Sequence, residues 1–100
     1  MTITLEKALA ILRANEPSLR AKGVLHAAIF GSLARGEAQQ ESDVDVMVDL
    51  DPDRRLSLFD FARIQHDLED LLQVKVDLAQ AKALRRFIKE QAMSEKVDAF

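Results

Sequence analysis

Eight residues, DVDVMVDL at 43–50, constrain the fold more than any other stretch of the chain. Val44, Val46 and Val48 alternate with Asp43, Asp45, Met47 and Asp49. Successive side chains of a strand point to opposite faces, so this alternation predicts a strand with one apolar face and one largely acidic face. The apolar face has to be covered by something. The acidic face is either solvated at a sheet edge or held by a cation.

The flanking segments supply the cover. Leu5, Ala8, Leu9 and Leu12 recur at helical spacing and predict an amphipathic helix over residues 4 to about 15, with Thr4 as N-cap. Pro17 interrupts it, and residues 16–22 read as a short second helical segment closed by Gly23. The apolar run at 24–30 reads as a strand stopping at Gly31. Asp51-Pro52 opens a turn. A further helix is expected from Ser57 to about Leu72, with Ser57 as cap, Asp60 at its third position, and Leu58, Phe61, Ile64 or Gln65, Leu68 and Leu71 as its stripe. VKVDL at 74–78 predicts a third strand. Residues 81 to about 97 predict a final helix with Leu84, Phe87 and Ile88 on its apolar face. The order helix, strand, loop, strand, helix, strand, helix implies a small α/β (α+β) layer structure: a mixed sheet of three or more strands flanked by helices. One hundred residues match one domain, expected to occupy the whole chain.

Composition narrows the chemistry. No apolar run approaches the roughly 20 residues of a membrane helix, the N-terminal segment does not read as a signal peptide, and the absence of cysteine fits a cytoplasmic protein. A net charge of −3 argues against direct polynucleotide binding, which usually shows a basic face. An acidic protein that handles phosphates needs a helix N-terminus or a metal to offset repulsion.

Both are available between residues 30 and 49. Gly31-Ser32 follows the first strand directly and precedes Leu33-Ala34-Arg35, which can start a helical turn. Glycine admits close backbone approach, and serine adds a hydroxyl and an N–H beside the free amides of the turn. Taken alone, this is also an ordinary capped turn. Asp43 and Asp45 lie at i and i+2, hence on one strand face roughly 6–7 Å apart. Hard oxygen ligands of this kind suit Mg²⁺, which fills its other positions with water and phosphate oxygens. Asp77 is a third acid in an otherwise apolar strand. It either pairs with Lys75 on an exposed face or, if its strand adjoins that of Asp43, completes a cluster able to hold two metal ions about 3.5–4 Å apart.

Gly31-Ser32, ten residues, then Asp43-Val44-Asp45 reproduces the Gly-Ser-x10-Asp-x-Asp pattern, and in this the chain resembles the polymerase-β-like nucleotidyltransferase superfamily. The fuller string GSLARGEAQQESDVDVMV, with KVDL after an intervening helix, looks like its minimal nucleotidyltransferase group (MNT, MntA-like) over residues 25–82. The resemblance implies nucleotide binding by Gly31 and Ser32, with Arg35 as a further phosphate contact and Gly36 structural. It implies two Mg²⁺ ions held by catalytic Asp43, Asp45 and Asp77, and ATP as substrate. Glu41 and Ser42 are read as shaping the turn. MNT proteins resemble the antitoxin halves of two-gene modules with HEPN toxins, so the expected reaction is AMPylation: transfer of AMP to a hydroxyl, of a tyrosine, on a HEPN partner. A non-catalytic antitoxin acting by occlusion is the alternative.

Other residues carry less. His26 and His66 lack partners at metal-ligand spacing. Arg20 and His26 fit the Arg-x5-His pattern of HEPN ribonucleases, but that fold is helical and here the interval enters a strand. Lys82, Arg85, Arg86, Lys89 and Lys96 make the last helix basic, as a solvated face or as a surface for an acidic partner or nucleotide phosphates.

Overall fold

The computed structural model describes residues 3–37 and 43–100. Helix α1 (Leu5–Ala14) starts where Thr4 Oγ1 accepts a hydrogen bond from the Lys7 amide at 3.1 Å, and it buries Ala8, Leu9 and Leu12. Helix α2 (Glu16–Ala21) follows at once. Pro17 sits in its first turn, where a missing N–H leaves no intrahelical bond unmade, so it redirects the chain without breaking the second helix.

Strand β1 (Val24–Phe30) leads into the short helix α3 (Gly31–Arg35), and β2 (Val44–Leu50) returns antiparallel to β1. Helix α4 (Leu58–Leu72) then carries the chain across to β3 (Val76–Gln80), parallel to β2. A parallel neighbour requires such a crossover. A 3₁₀ turn (Ala81–Ala83), helix α5 (Arg86–Glu95) and strand β4 (Val97–Asp98) complete the order. Among the described residues the sheet has four strands in the order β3-β2-β1-β4, with β4 antiparallel to β1.

One sheet face carries the main core. Ala27 and Ile29 of β1, Val44, Val46 and Val48 of β2, and Val76 and Leu78 of β3 meet the buried residues of α1 and α2 and Ile64, Leu68 and Leu72 of α4. Helix α4 is fixed at its start by a reciprocal pair: Ser57 Oγ accepts from the Asp60 amide at 3.2 Å, and Asp60 Oδ2 accepts from the Ser57 amide at 2.8 Å. Leu58, at the first helical position, points away from the core and is 85% exposed, contrary to its place in the expected stripe.

Three expectations require correction. The third strand is 76–80, not 74–78: Lys75 lies before it, and the Lys75 carbonyl accepts from the Val44 amide. The single helix expected over 81–97 is a 3₁₀ turn, an extended break at Leu84 and Arg85, a ten-residue helix and a strand. Phe87 and Ile88 are exposed rather than packed. On the second face of β2, Met47 lies among the acids as the alternation has it. Met47 is 3% exposed because α5, which contacts β1 and α3, lies on that side of the sheet. The C-terminal strand is anchored from α1, where Arg13 donates to the carbonyls of Ala99 and Asp98 at 2.9 and 3.0 Å. No helix among the described residues is long and apolar enough to cross a membrane.

Candidate active site

The ladders bring the expected residues to one rim of the sheet. Phe30, the last residue of β1, pairs with Asp45 across the antiparallel ladder, so Gly31 emerges beside the Asp45 side chain. Asp45 pairs with Asp77 across the parallel ladder. Residues paired in this way project on the same face. The two carboxylates therefore stand side by side, and the charge of Asp77 acts on Asp45. Asp43 lies immediately before β2 and is exposed, near enough for its charge to act on Asp45.

Gly31 is required twice over. Its φ of +71° lies in the left-handed region that favours glycine. A Cβ at this position would sit inside the Asp45 carboxylate. The strand-to-helix turn is thus shaped around the acid. The helix that follows has Phe30 at its N-cap with no capping side chain, so its first amides have no side-chain acceptor there. Ser32 is half-buried in that first turn, and its carbonyl accepts from the Glu37 amide at 2.8 Å. Gly36 ends the helix at φ +76°, with open space around it.

Electrostatics single out one residue. Partial burial, then the neighbouring charges of Asp77 and Asp43, push the Asp45 carboxyl above its ordinary pKa, and Arg35 pulls it back only in part. Arg35 donates to Glu37 at 2.9 Å and to Glu95 of α5 at 3.0 Å. Its guanidinium ties α3 to α5, and a phosphate would have to compete with two carboxylates for it.

Among the described residues no three of His, Cys, Asp and Glu stand as a preformed metal centre. The donor chemistry nevertheless fits Mg²⁺. Hard carboxylate oxygens converge at Asp45 and Asp77, with Asp43 beside them, and their mutual repulsion is what a divalent cation relieves.

The remaining sequence candidates lie elsewhere. His66 is exposed on α4, 3.5 Å from Asp70. Arg20 bonds Glu16 and stands 5.2 Å over the Phe100 ring, while His26 is exposed in β1. Glu41 and Ser42 lie outside the described residues. Sequence reasoning missed the Arg35–Glu95 tie, since 60 residues separate the partners and neither carries a local signal.

The family model described as "Nucleotidyltransferase domain" matches residues 5–99. The protein adenylyltransferase MntA of Thermococcus cleftensis is 38% identical over 96 residues, covering 95% of each chain. A solved structure provisionally described as a minimal nucleotidyltransferase superposes with a TM-score of 0.79 at 35% identity, covering 95% of both chains. A structure of a tri-AMPylated Shewanella oneidensis HEPN toxin in complex with an MNT antitoxin matches with a TM-score of 0.65 over 92% of this chain and 71% of the other. At 16% identity that likeness concerns the fold alone.

Proposed function

We propose that this chain, which belongs to the nucleotidyltransferase domain family and shares the polymerase-β-like fold of its minimal MNT members, transfers AMP from ATP to a hydroxyl of a partner protein. The observation that carries the reading is the apposition of Asp45 and Asp77 beside Gly31, with Asp45 held reluctant to ionise until positive charge arrives. Asp43, Asp45 and Asp77 would hold two Mg²⁺ ions, which neutralise the triphosphate and favour an ionised acceptor hydroxyl. The uncapped N–H groups at Gly31 and Ser32 would donate to the phosphate oxygens, and Arg35 would leave Glu37 or Glu95 to join them. The acceptor oxygen forms its bond to the α-phosphorus as the bond to the bridging oxygen breaks. Pyrophosphate leaves, and the hydroxyl proton passes to the carboxylate cluster. Positioning and charge stabilisation account for the chemistry, with no covalent enzyme intermediate.

The partner we infer is a HEPN toxin, with a tyrosine as acceptor, making this chain an antitoxin. The MntA relative is a protein adenylyltransferase, and a distant fold relative is an MNT antitoxin bound to a HEPN toxin. A transferred AMP adds a bulky anion that would repel RNA phosphates from the toxin. The test is co-expression of the toxin with the wild-type chain or with the Asp43→Asn, Asp45→Asn double variant, followed by intact mass measurement of the toxin. Wild type should add AMP and protect, and the variant should do neither. Full protection by the variant with no added mass would leave an antitoxin that acts by occlusion.

A further inference from the structure

A half-open cleft of about 190 Å³ lies on the acid face of the sheet, further along β2 from Asp45. Ala28 and Met47, partners across the β1–β2 ladder, line it, and α5 closes it with Met93. Met47 is two residues from Asp45 on the same face, roughly 6–7 Å along the strand, so the cleft adjoins the carboxylates. Its polar lining is three lysines with His26, Asp49 and Asp98. Lys82, from the 3₁₀ turn, and Lys89, from α5, both line it, and among the described residues neither has an ion-pair partner. Lys96, by contrast, is held by Asp98 at 2.6 Å. Among the described residues, two uncommitted lysines stand against the one uncommitted carboxylate of Asp49 over an apolar floor, which suits a ligand with an anionic group, a hydrogen-bond donor and a flat apolar part.

The volume limits what that ligand is. Sites for whole drug-sized ligands measure roughly 300–1,000 Å³, so this cleft encloses a base-sized fragment, and the rest of a nucleotide lies over its open rim. We propose that it is a second nucleotide subsite, which takes one nucleoside monophosphate unit. The base lies against Met47 and Met93, whose thioethers make favourable contacts with aromatic rings. Its phosphate meets Lys82 and Lys89, and Asp49 accepts from an amino group of the base. The proposal rests on the nucleotidyl-transfer reading above, because that reaction is what brings a nucleotide unit next to the acids. Such a unit has two sources: free AMP, or an AMP already attached to the acceptor, whose ribose hydroxyl then faces the acids for another addition.

The experiment uses AMP as probe on the whole chain without metal, following the ¹³C-methyl resonances of Met47 and Met93. AMP should shift both. Lys82→Ala with Lys89→Ala should weaken binding by up to about fivefold for each exposed charge pair lost. Both lysines are exposed, so the fold should survive. Asp43→Asn with Asp45→Asn, which removes negative charge beside the cleft, should bind AMP at least as well as wild type does, which keeps this test apart from the transfer assay. Intact masses of the acceptor then separate the sources. Loss of later additions with the first retained identifies the attached unit, and an equal effect on every addition identifies free AMP. Unshifted methionine methyls, or wild-type affinity in the lysine double variant, would overturn the subsite.

Discussion

Replacing Gly31 with alanine tests the idea that the turn is built around Asp45. Two costs are expected, and Gly36 separates them. Gly36 has a similar φ, +76° against +71°, but a Cβ there meets nothing within 4 Å. Gly36→Ala therefore reports the backbone cost alone, about 1–2 kcal/mol for a left-handed L-residue. For a domain of this length that corresponds to a fall in Tm of about 4–16 °C. Gly31→Ala carries the same cost and must also move the Asp45 carboxylate, so it should be the more destabilised of the two. In activity they should diverge further. A displacement of about 1 Å at a reacting centre costs about 100-fold in rate, so Gly31→Ala should lose transfer while Gly36→Ala keeps it. In an Asp45→Ala background the obstructing carboxylate is gone and only the Cβ of residue 45 remains close, at 3.3 Å, so Gly31→Ala should then cost only a little more than Gly36→Ala. Thermal melts of the glycine variants, with and without Asp45→Ala, and single-turnover AMP transfer read these values. The reasoning fails if Gly31→Ala is no less stable than Gly36→Ala and transfers at the wild-type rate.

Three other outcomes follow from the charges. A carboxyl whose folded pKa is raised contributes stability below its unfolded pKa, ordinarily about 3.9, and loses it as pH rises through the folded value. Asp45→Asn should therefore raise Tm at neutral pH without metal and give no advantage near pH 3; an equal gain at both would refute the apposition. Asp60 runs the other way. Its bonds to the Ser57 backbone and hydroxyl lower its pKa, so its contribution is present at neutral pH and fades in acid, and Asp60→Asn should be destabilising only at the higher pH of a melt series. Mg²⁺ should raise the Tm of wild type in proportion to the logarithm of its concentration above Kd, and leave Asp43→Asn, Asp45→Asn unmoved in calorimetry.

Where the chain announces an element locally, the element is where the sequence puts it. β1 runs from 24 to 30 as read, because an apolar run lies between Gly23 and Gly31, and both glycines take a positive φ. α4 begins after Ser57 because the Ser57–Asp60 pair is a signal within four residues. The C-terminal quarter has no such markers. No glycine or proline stands at the extended break of Leu84 and Arg85, and the helical spacing of Leu84, Phe87 and Ile88 suggests continuity where there is none. β4 has two residues, too few for alternation to register, and it forms because Arg13 and β1 receive the returning chain. Met47 stands on the face where the alternation puts it, and its burial comes from α5, a helix remote in sequence.

The same distinction divides the site. Gly31, Ser32, Asp43 and Asp45 belong to a single strand-turn-strand unit, so their chemistry imposes a fixed spacing that a reader of the sequence can find. Asp77 required one step more: alternation assigns it to a face, but only the parallel register of β3 on β2 sets it against Asp45. The cleft beside the acids has no spacing at all, because Ala28, Met47, Lys82 and Met93 come from four different elements. A ligand held there is selected by residues that the Gly-Ser-x10-Asp-x-Asp pattern does not constrain. Chains that keep the pattern and differ at the positions of Lys82, Lys89 and Met93 should therefore share the transfer chemistry and differ in what they hold beside it. Exchanging those three side chains between two such proteins should move the AMP-binding difference with them and leave the first transfer unchanged.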